Sequence, residues 1–399
     1  MSYIIDEKYN GFSFRMEEID GLYLIRIYDE NDRRIGRCKG NVLTASLNGA
    51  KVKAMAIGAV FIEPEFRRFG LAKHCFELLD RIIKDKGCLV SYLHPFSFNY
   101  YRMFGYERIA DHRIIEFPIE KLDFIPRYHD LERISLEDGT KDLELAHNRF
   151  CLKRNAIFLR EGTLATTEPT ICSGYTNGGP FTYDFSKGIL YYLSRDENGS
   201  PNGYIMFRKE LRQEHHHLFG TIHVDEIVFD SMDVLRRLLG FIRMYDGEVD
   251  NVIFHNVGMA PEVELVLRDY KYIRLTSVPD LCARFHDMAT LLESFEYPDA
   301  PGSFTLRVMD CEKSPFSKDL TSGAWRVDYK DGKGTITKLD NDFVCDIEAN
   351  MPAITQLIHG FMSYGLCSAL YCDGVKINGK CEDFFRAFPN RPCGMTDLF

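Results

Sequence analysis

The sequence predicts a mixed α/β (α+β) protein of more than one domain, on three observations. Its 399 residues exceed what one core ordinarily fills, since single cores stop growing near roughly 250–300 residues. Apolar content of 45% beside 27% charged residues is the balance of a folded globular chain. The hydrophobic period switches between 2 and 3.6 along the chain, so strands and helices alternate.

Residues 11–62 read as strand almost throughout. Segments 12–16 and 22–28 alternate apolar and polar residues, and turn clusters such as Asp29-Glu-Asn-Asp and Asn48-Gly49 separate the runs. Residues 54–62 form a continuous run of small and apolar side chains, as expected of a strand buried on both faces. After Pro64 the period becomes 3.6: Leu71, Cys75, Leu78, Leu79 and Ile82 line one stripe, which Gly87 closes. Residues 89–93 read as another buried strand, and 98–104 as a short aromatic helix ending at Gly105.

From about Arg127 a second unit begins: a strand pair at 188–193 and 203–208, a strand at 222–229, a helix at 232–244, a strand at 252–255 and a helix at 262–267. Its order loosely repeats that of the first unit without the loop chemistry described below, which predicts a structural duplicate. A third unit starts near Cys282, with strands at 304–308, 324–327, 334–338 and 344–347 and helices at 351–359 and 383–387. The expected domains are therefore 1–126, 127–284 and 285–399.

A formal net charge of −10 argues against a general nucleic-acid binder and suits a cationic partner. Asp6, Glu7 and Lys8 stand where a signal peptide would need an apolar core, and residues 54–62 are about half the length that crosses a bilayer. The twelve cysteines are scattered without a C-x-x-C pair, which fits reduced thiols and a cytoplasmic, membrane-free protein. Three adjacent histidines, His215, His216 and His217, cannot all face one ion, and no cysteine or carboxylate cluster completes a ligand set, so no metal is expected.

Chemistry concentrates in Gly58-Ala-Val-Phe-Ile-Glu-Pro-Glu-Phe-Arg-Arg-Phe-Gly-Leu-Ala, where a buried strand turns at Pro64 and enters a helix. Such a turn leaves backbone N–H groups unpaired at the helix start and aims the positive end of the macrodipole at the same spot. A diphosphate is the natural occupant. Gly70 and Ala72 keep side chains clear, while Arg67 and Arg68 add charge-assisted hydrogen bonds. Neither G-x-G-x-x-G nor G-K-[ST] is present, so this is not a Rossmann or Walker loop.

Arg67-x-x-Gly70-x-Ala72 after a buried strand resembles the acetyl-CoA pyrophosphate loop of GNAT acetyltransferases. About thirty residues on, Asn99-Tyr-Tyr-Arg-Met-Phe-Gly-Tyr resembles the family's helix bearing a tyrosine, Tyr101 here, before a Gly-aromatic pair, Gly105-Tyr106. Together with Leu93-His-Pro-Phe-Ser-Phe and the chain length, these motifs are similar to the Eis (enhanced intracellular survival) branch of the superfamily. The resemblance implies two GNAT-like mixed-sheet domains, the second degenerate, then a sterol-carrier-protein-like domain, in a homo-oligomer that is hexameric in that branch. It implies acetyl-CoA as cofactor, held by Val60, Phe61, Ile62, Arg67, Arg68, Phe69, Gly70, Leu71, Ala72 and Asn99. Tyr101 becomes the expected general acid and the C-terminal carboxylate of Phe399 the expected base, with Glu63 and His94 as alternatives. The acceptor is then a primary amine on a small polycationic molecule, aminoglycoside-like or a polyamine, or a lysine side chain. The competing reading is a non-catalytic protein that binds acyl-CoA or an apolar ligand in its C-terminal domain. One departure from the branch stands out: about 55 residues precede the buried strand and read as strands, where the family carries a strand and two helices. A more open acceptor side, or one covered by another domain or subunit, follows.

Overall fold

Turn chemistry builds the first five strands: β1 (Ile5–Tyr9), β2 (Phe12–Ile19), β3 (Leu22–Tyr28), β4 (Arg34–Leu47) and β5 (Ala50–Ile62). Each pairs antiparallel with the next. Asn10-Gly11, Asp20-Gly21 and Asn48-Gly49 join three of the four pairs, and all six residues have positive φ, between 48° and 86°. Two consecutive left-handed residues make the type I′ turn whose twist matches the flanking strands. The computed structural model describes residues 4–162, 164–166, 182–185, 188–214, 217–311, 314–316, 318–340, 342–362, 374–395 and 397.

Helix α1 (Leu71–Lys86) follows, with the expected stripe of Leu71, Cys75, Leu78, Leu79 and Ile82 buried. Burying each such side chain contributes roughly 1.5–3 kcal/mol. Gly87 ends the helix in the left-handed conformation (φ 66°), its N–H bonding back to Ile83 and Lys84 carbonyls. Strand β6 (Val90–Leu93), helix α2 (Phe98–Arg102) and strand β7 (Glu107–Pro118) complete the N-terminal region.

The chain divides into two units, one reaching Ala110 and resuming from Asp280 to Cys393, the other running from Asp111 to Pro279 with the tail segment from Gly394. The second unit contains β8 (Glu132–Ile134), α3 (Lys141–Cys151), β9 (Ile157–Phe158), β10 (Leu164–Thr166), β11 (Thr182–Asp184), β12 (Ile189–Arg195), β13 (Pro201–Glu214), β14 (His217–Phe229), α4 (Met232–Ile242), β15 (Asn251–Phe254) and α5 (Glu262–Val266). Its sheet runs β7-β15-β14-β13-β12-β8, with β14 and β15 parallel and the other pairs antiparallel. The predicted element order from 188 to 267 is present. Strand β16 (Arg274–Phe285) returns the chain to the first unit.

There follow α6 (Met288–Ser294), β17 (Gly302–Met309), β18 (Gly323–Lys330), β19 (Lys333–Leu339), β20 (Ile347–Asn350), α7 (Met351–Ile358), β21 (Val375–Ile377) and α8 (Glu382–Ala387). These strands form their own sheet, β19-β18-β17-β20-β21, in which only β17 and β20 are parallel. Among the described residues no helix is long and apolar enough to cross a membrane, and the cysteines are free thiols.

Inside the second unit, one buried guanidinium organises a polar core. Arg160 donates to both Glu226 oxygens (2.7 and 2.9 Å), to Asp397 (2.8 Å) and to the Tyr183 and Tyr204 hydroxyls (3.0 Å each). Burial alone would raise the Glu226 pKa, but Arg160 and His147 outweigh it and hold the carboxyl at about 2. Asp397 is left the weaker claimant: burial and the Glu226 charge push it up to about 6 against the pull of Arg160. A carboxyl raised in the folded state binds more protons there than unfolded, so its contribution is full below the unfolded value near 4 and is lost as pH rises through 6. Asp397→Asn, a mimic of the protonated acid, should therefore gain stability relative to wild type between pH 4 and 6. About two units correspond to roughly 2–3 kcal/mol, readable as diverging urea midpoints across that window; parallel midpoints would refute the assignment.

Candidate active site

Strands β5 and β6 pair in parallel only from Ala54–Val90 to Ile57–Leu93. Beyond that point β5 runs on to Ile62 while its register with β4 shifts between Arg37 and Lys39. Lys39 faces Gly58 and Arg37 faces Phe61, so β5 holds one extra residue, a β-bulge. Ala59 sits inside it at φ 51°, a left-handed conformation that costs a non-glycine residue roughly 1–2 kcal/mol. The bulge takes backbone polar groups out of the ladder just where the neighbouring strand ends. Val60 is half-buried, Phe61 exposed and Ile62 buried at this end of β5.

The turn that follows is fixed from both sides. The Glu63 N–H donates to the Ile35 carbonyl (2.8 Å), and Pro64–Phe66 form one 3₁₀ turn. Arg67 donates its Nε to the Ile62 carbonyl (3.1 Å), so part of the guanidinium expected to face a phosphate also braces the turn. Asn10 reaches across to the Phe69 carbonyl (3.1 Å). Arg68 (φ 70°) and Gly70 (φ 77°) are left-handed, and a Cβ on Gly70 would stand 3.3 Å from the Tyr9 hydroxyl. Leu71 and Ala72 open α1, which has no side-chain cap and no acidic residue in its first turn. A sixteen-residue helix thus presents bare N–H groups and its positive end, flanked by exposed Arg67, Arg68 and Phe69. These residues fit a diphosphate.

Helix α2 is short but well anchored. The Ser97 hydroxyl accepts the Tyr100 N–H (3.4 Å), a standard N-cap. Phe96, just before the cap, packs on Tyr101, four residues after it, with centroids 5.2 Å apart: a hydrophobic staple. Tyr101 is 2% exposed, ringed by Phe76, Phe96, Tyr100 and Tyr106, and its hydroxyl makes no hydrogen bond among the described residues. Burial pushes its phenol far above the ordinary tyrosine value, and Tyr100 up to about 12. Asn99 faces solvent. His94, on the segment leaving β6, bonds through Nδ1 to Asp280 (2.9 Å). Phe399, like His215 and His216, falls outside the described residues. The sequence reading missed the bulge at Ala59, the Phe96–Ser97 anchor and the His94–Asp280 pair. The anchor carried a signal, an aromatic-Ser-x-x-x-aromatic spacing; the other two carried none.

In the second unit, the helix after the long strand β14 starts differently. Ser231 caps α4 by accepting the Val234 N–H (3.3 Å), and Asp233 adds a negative charge in the first turn. One of its first-turn N–H groups is thus taken by its own chain.

Two family models match, both described as acetyltransferase (GNAT) domains, one over residues 14–109 and the other over 180–285. No protein with a curated description matches the sequence. Among solved structures, a GCN5-related N-acetyltransferase from Anabaena variabilis superposes with a TM-score of 0.73 at 18% identity, over 94% of this chain and 89% of that one. One from Kribbella flavida gives 0.69 at 19% identity, over 94% and 87%. Eis1 from Mycobacterium abscessus gives 0.68 at 15%, over 94% and 91%. At these identities the likeness is one of fold. The two matching domain models, one of them spanning the bulge, the bare helix start and Tyr101, carry the conclusion: the chain contains two GNAT acetyltransferase domains and is an acyltransferase.

Proposed function

We propose that this acyltransferase is an Eis-type, acetyl-CoA-dependent N-acetyltransferase acting on a primary amine of a small cationic molecule, aminoglycoside-like or a polyamine, or of a lysine side chain. The observation that carries the reading is the uncapped start of α1 beside a strand end that has outrun its β6 partner. Acetyl-CoA, when bound, supplies the acyl group and a thiolate leaving group. Residues 67–72 hold its diphosphate, and the backbone near Val60–Ile62 polarises the acyl carbonyl. Tyr101 keeps its proton on Oη at every ordinary pH and delivers it toward the leaving sulfur. Its raised pKa opposes donation to a solvated thiolate, so the transfer needs a leaving sulfur that is itself desolvated and therefore more basic. The Phe399 carboxylate takes the proton of the incoming amine, with Glu63 and His94 as the alternatives. The same reading takes the β17–β21 region as sterol-carrier-like and the working form as a cytoplasmic homo-oligomer.

Three measurements test it. Gly70→Val should abolish acetyl-CoA binding in calorimetry, because a branched side chain at the helix start occludes the diphosphate; native affinity would refute the seat. Tyr101→Phe should lower kcat by roughly 10²–10⁴ in a thiol-release assay against aminoglycosides, polyamines and peptides, with acetyl-CoA affinity kept. Two glycines added after Phe399 should cost most of the turnover, since a misplacement of about 1 Å can cost on the order of 10²; a native rate would move the base to Glu63 or His94.

A further inference from the structure

We infer that Arg284, through the buried ion pair it makes with Asp310, is a positioning residue for Tyr101, so that the C-terminal sheet is part of the catalytic apparatus. The inference rests on Tyr101 being the proton donor. Both side chains of the pair are completely buried within the first unit. Arg284 Nη1 donates to Asp310 (2.9 Å) and also to the Phe104 main-chain carbonyl (2.9 Å), while Nη2 takes the second carboxylate oxygen. That carbonyl lies three residues past Tyr101, and the Phe104 and Tyr106 N–H groups both donate to the Tyr101 carbonyl (3.0 and 3.2 Å). One planar fork therefore fixes the peptide on which the end of α2 turns.

The surroundings are built around the guanidinium. Gly105 (φ 86°) has no Cβ to place; one there would stand 2.0 Å from Arg284 Nη1. The ring of Phe316 lies 4.8 Å beneath the guanidinium carbon, and Phe316 in turn meets Phe76, which meets Tyr101. Asp310 comes from the strand end after β17 and is held by the Cys311 N–H (2.6 Å) and the Thr321 hydroxyl (2.5 Å). Its own N–H donates to the Ser322 hydroxyl (3.2 Å). The β17–β18 connection thus orients a carboxylate that orients Arg284, which orients the tyrosine helix.

A stability role alone does not account for this arrangement. Two buried charges are commonly replaced by apolar residues without loss of stability, whereas only a bidentate fork can hold a carboxylate and a carbonyl at fixed angles; lysine offers a point charge. The fork's span, not its charge, is what the site uses.

The test is a cycle of full-length variants: Arg284→Lys, Tyr101→Phe and both together, assayed for thiol release and for acetyl-CoA affinity. Arg284→Lys is expected to keep cofactor affinity and lose kcat on the order of 10²-fold, the scale of a small misplacement. In the Tyr101→Phe background the same change should cost almost nothing more, because residues acting as one unit are not additive. Arg284→Met with Asp310→Leu should fold with a native melting temperature and show the same kcat loss, separating position from stability. Native turnover in Arg284→Lys, or a full extra loss on top of Tyr101→Phe, would overturn the inference. Native turnover in Tyr101→Phe alone would instead remove Tyr101 as the acid, and with it the role given to Arg284.

Discussion

The site depends on one strand outrunning one of its two partners. From Ala54 to Ile57, β5 is tied on both sides, to β4 and to β6. Past Ile57 the parallel partner stops and the bulge at Ala59 breaks the antiparallel register. Backbone groups that a sheet would normally consume are then available, and the next turn delivers the chain to a helix start with no cap. The edge of β5 past its parallel partner and the uncapped helix start lie within one short stretch of chain. Ala59 is strained, and the ladders that precede the bulge hold it there. Strain of this kind persists only where the surrounding structure over-determines it.

Most of this was legible from residue order alone. Continuous small apolar residues at 54–62 marked a strand covered on both faces, which holds at 54–57 and not at the half-buried 58–60 or exposed Phe61. The stripe from Leu71 to Ile82 marked its helix. Gly70 and Ala72 marked where a side chain had to be missing. What escaped was whatever depends on partners distant in sequence. Strand β7 was not read, because Asp111-His112-Arg113 interrupts its apolar pattern with polar residues. Helix α3 hides its buried stripe of Leu143, Ala146, His147 and Phe150 behind a histidine that looks solvent-facing until it is found 0% exposed. Helix α6 was missed as too short for its period to show.

Buried charge was the hardest part to foresee. Arg160, Glu226 and Asp397 read individually as surface residues, as do Arg284 and Asp310. Only the fold brings them together, across 237 residues in the case of Arg160 and Asp397. The two clusters also solve different problems. Arg284 serves one carboxylate and one carbonyl through its two Nη groups, and its buried Nε has no partner among the described residues. Arg160 serves two carboxylates, and one of them has to yield, which is why Glu226 and Asp397 are pushed in opposite directions.

The start of α4 bears on stoichiometry. The two GNAT domains look interchangeable when counted by sequence models, and a duplicated binding fold invites a count of two ligands per chain. At α1 a glycine stands at the cap and leaves the helix end to whatever arrives from outside. At α4 the Ser231 hydroxyl already occupies that place, and Asp233 repels any anion that would compete for it. Of these two helix starts, only the one at α1 lacks a side-chain cap and an acidic first turn. On the proposed reading, a titration of the whole protein should saturate at one equivalent, the second domain sharing the architecture of its neighbour without a matching helix start.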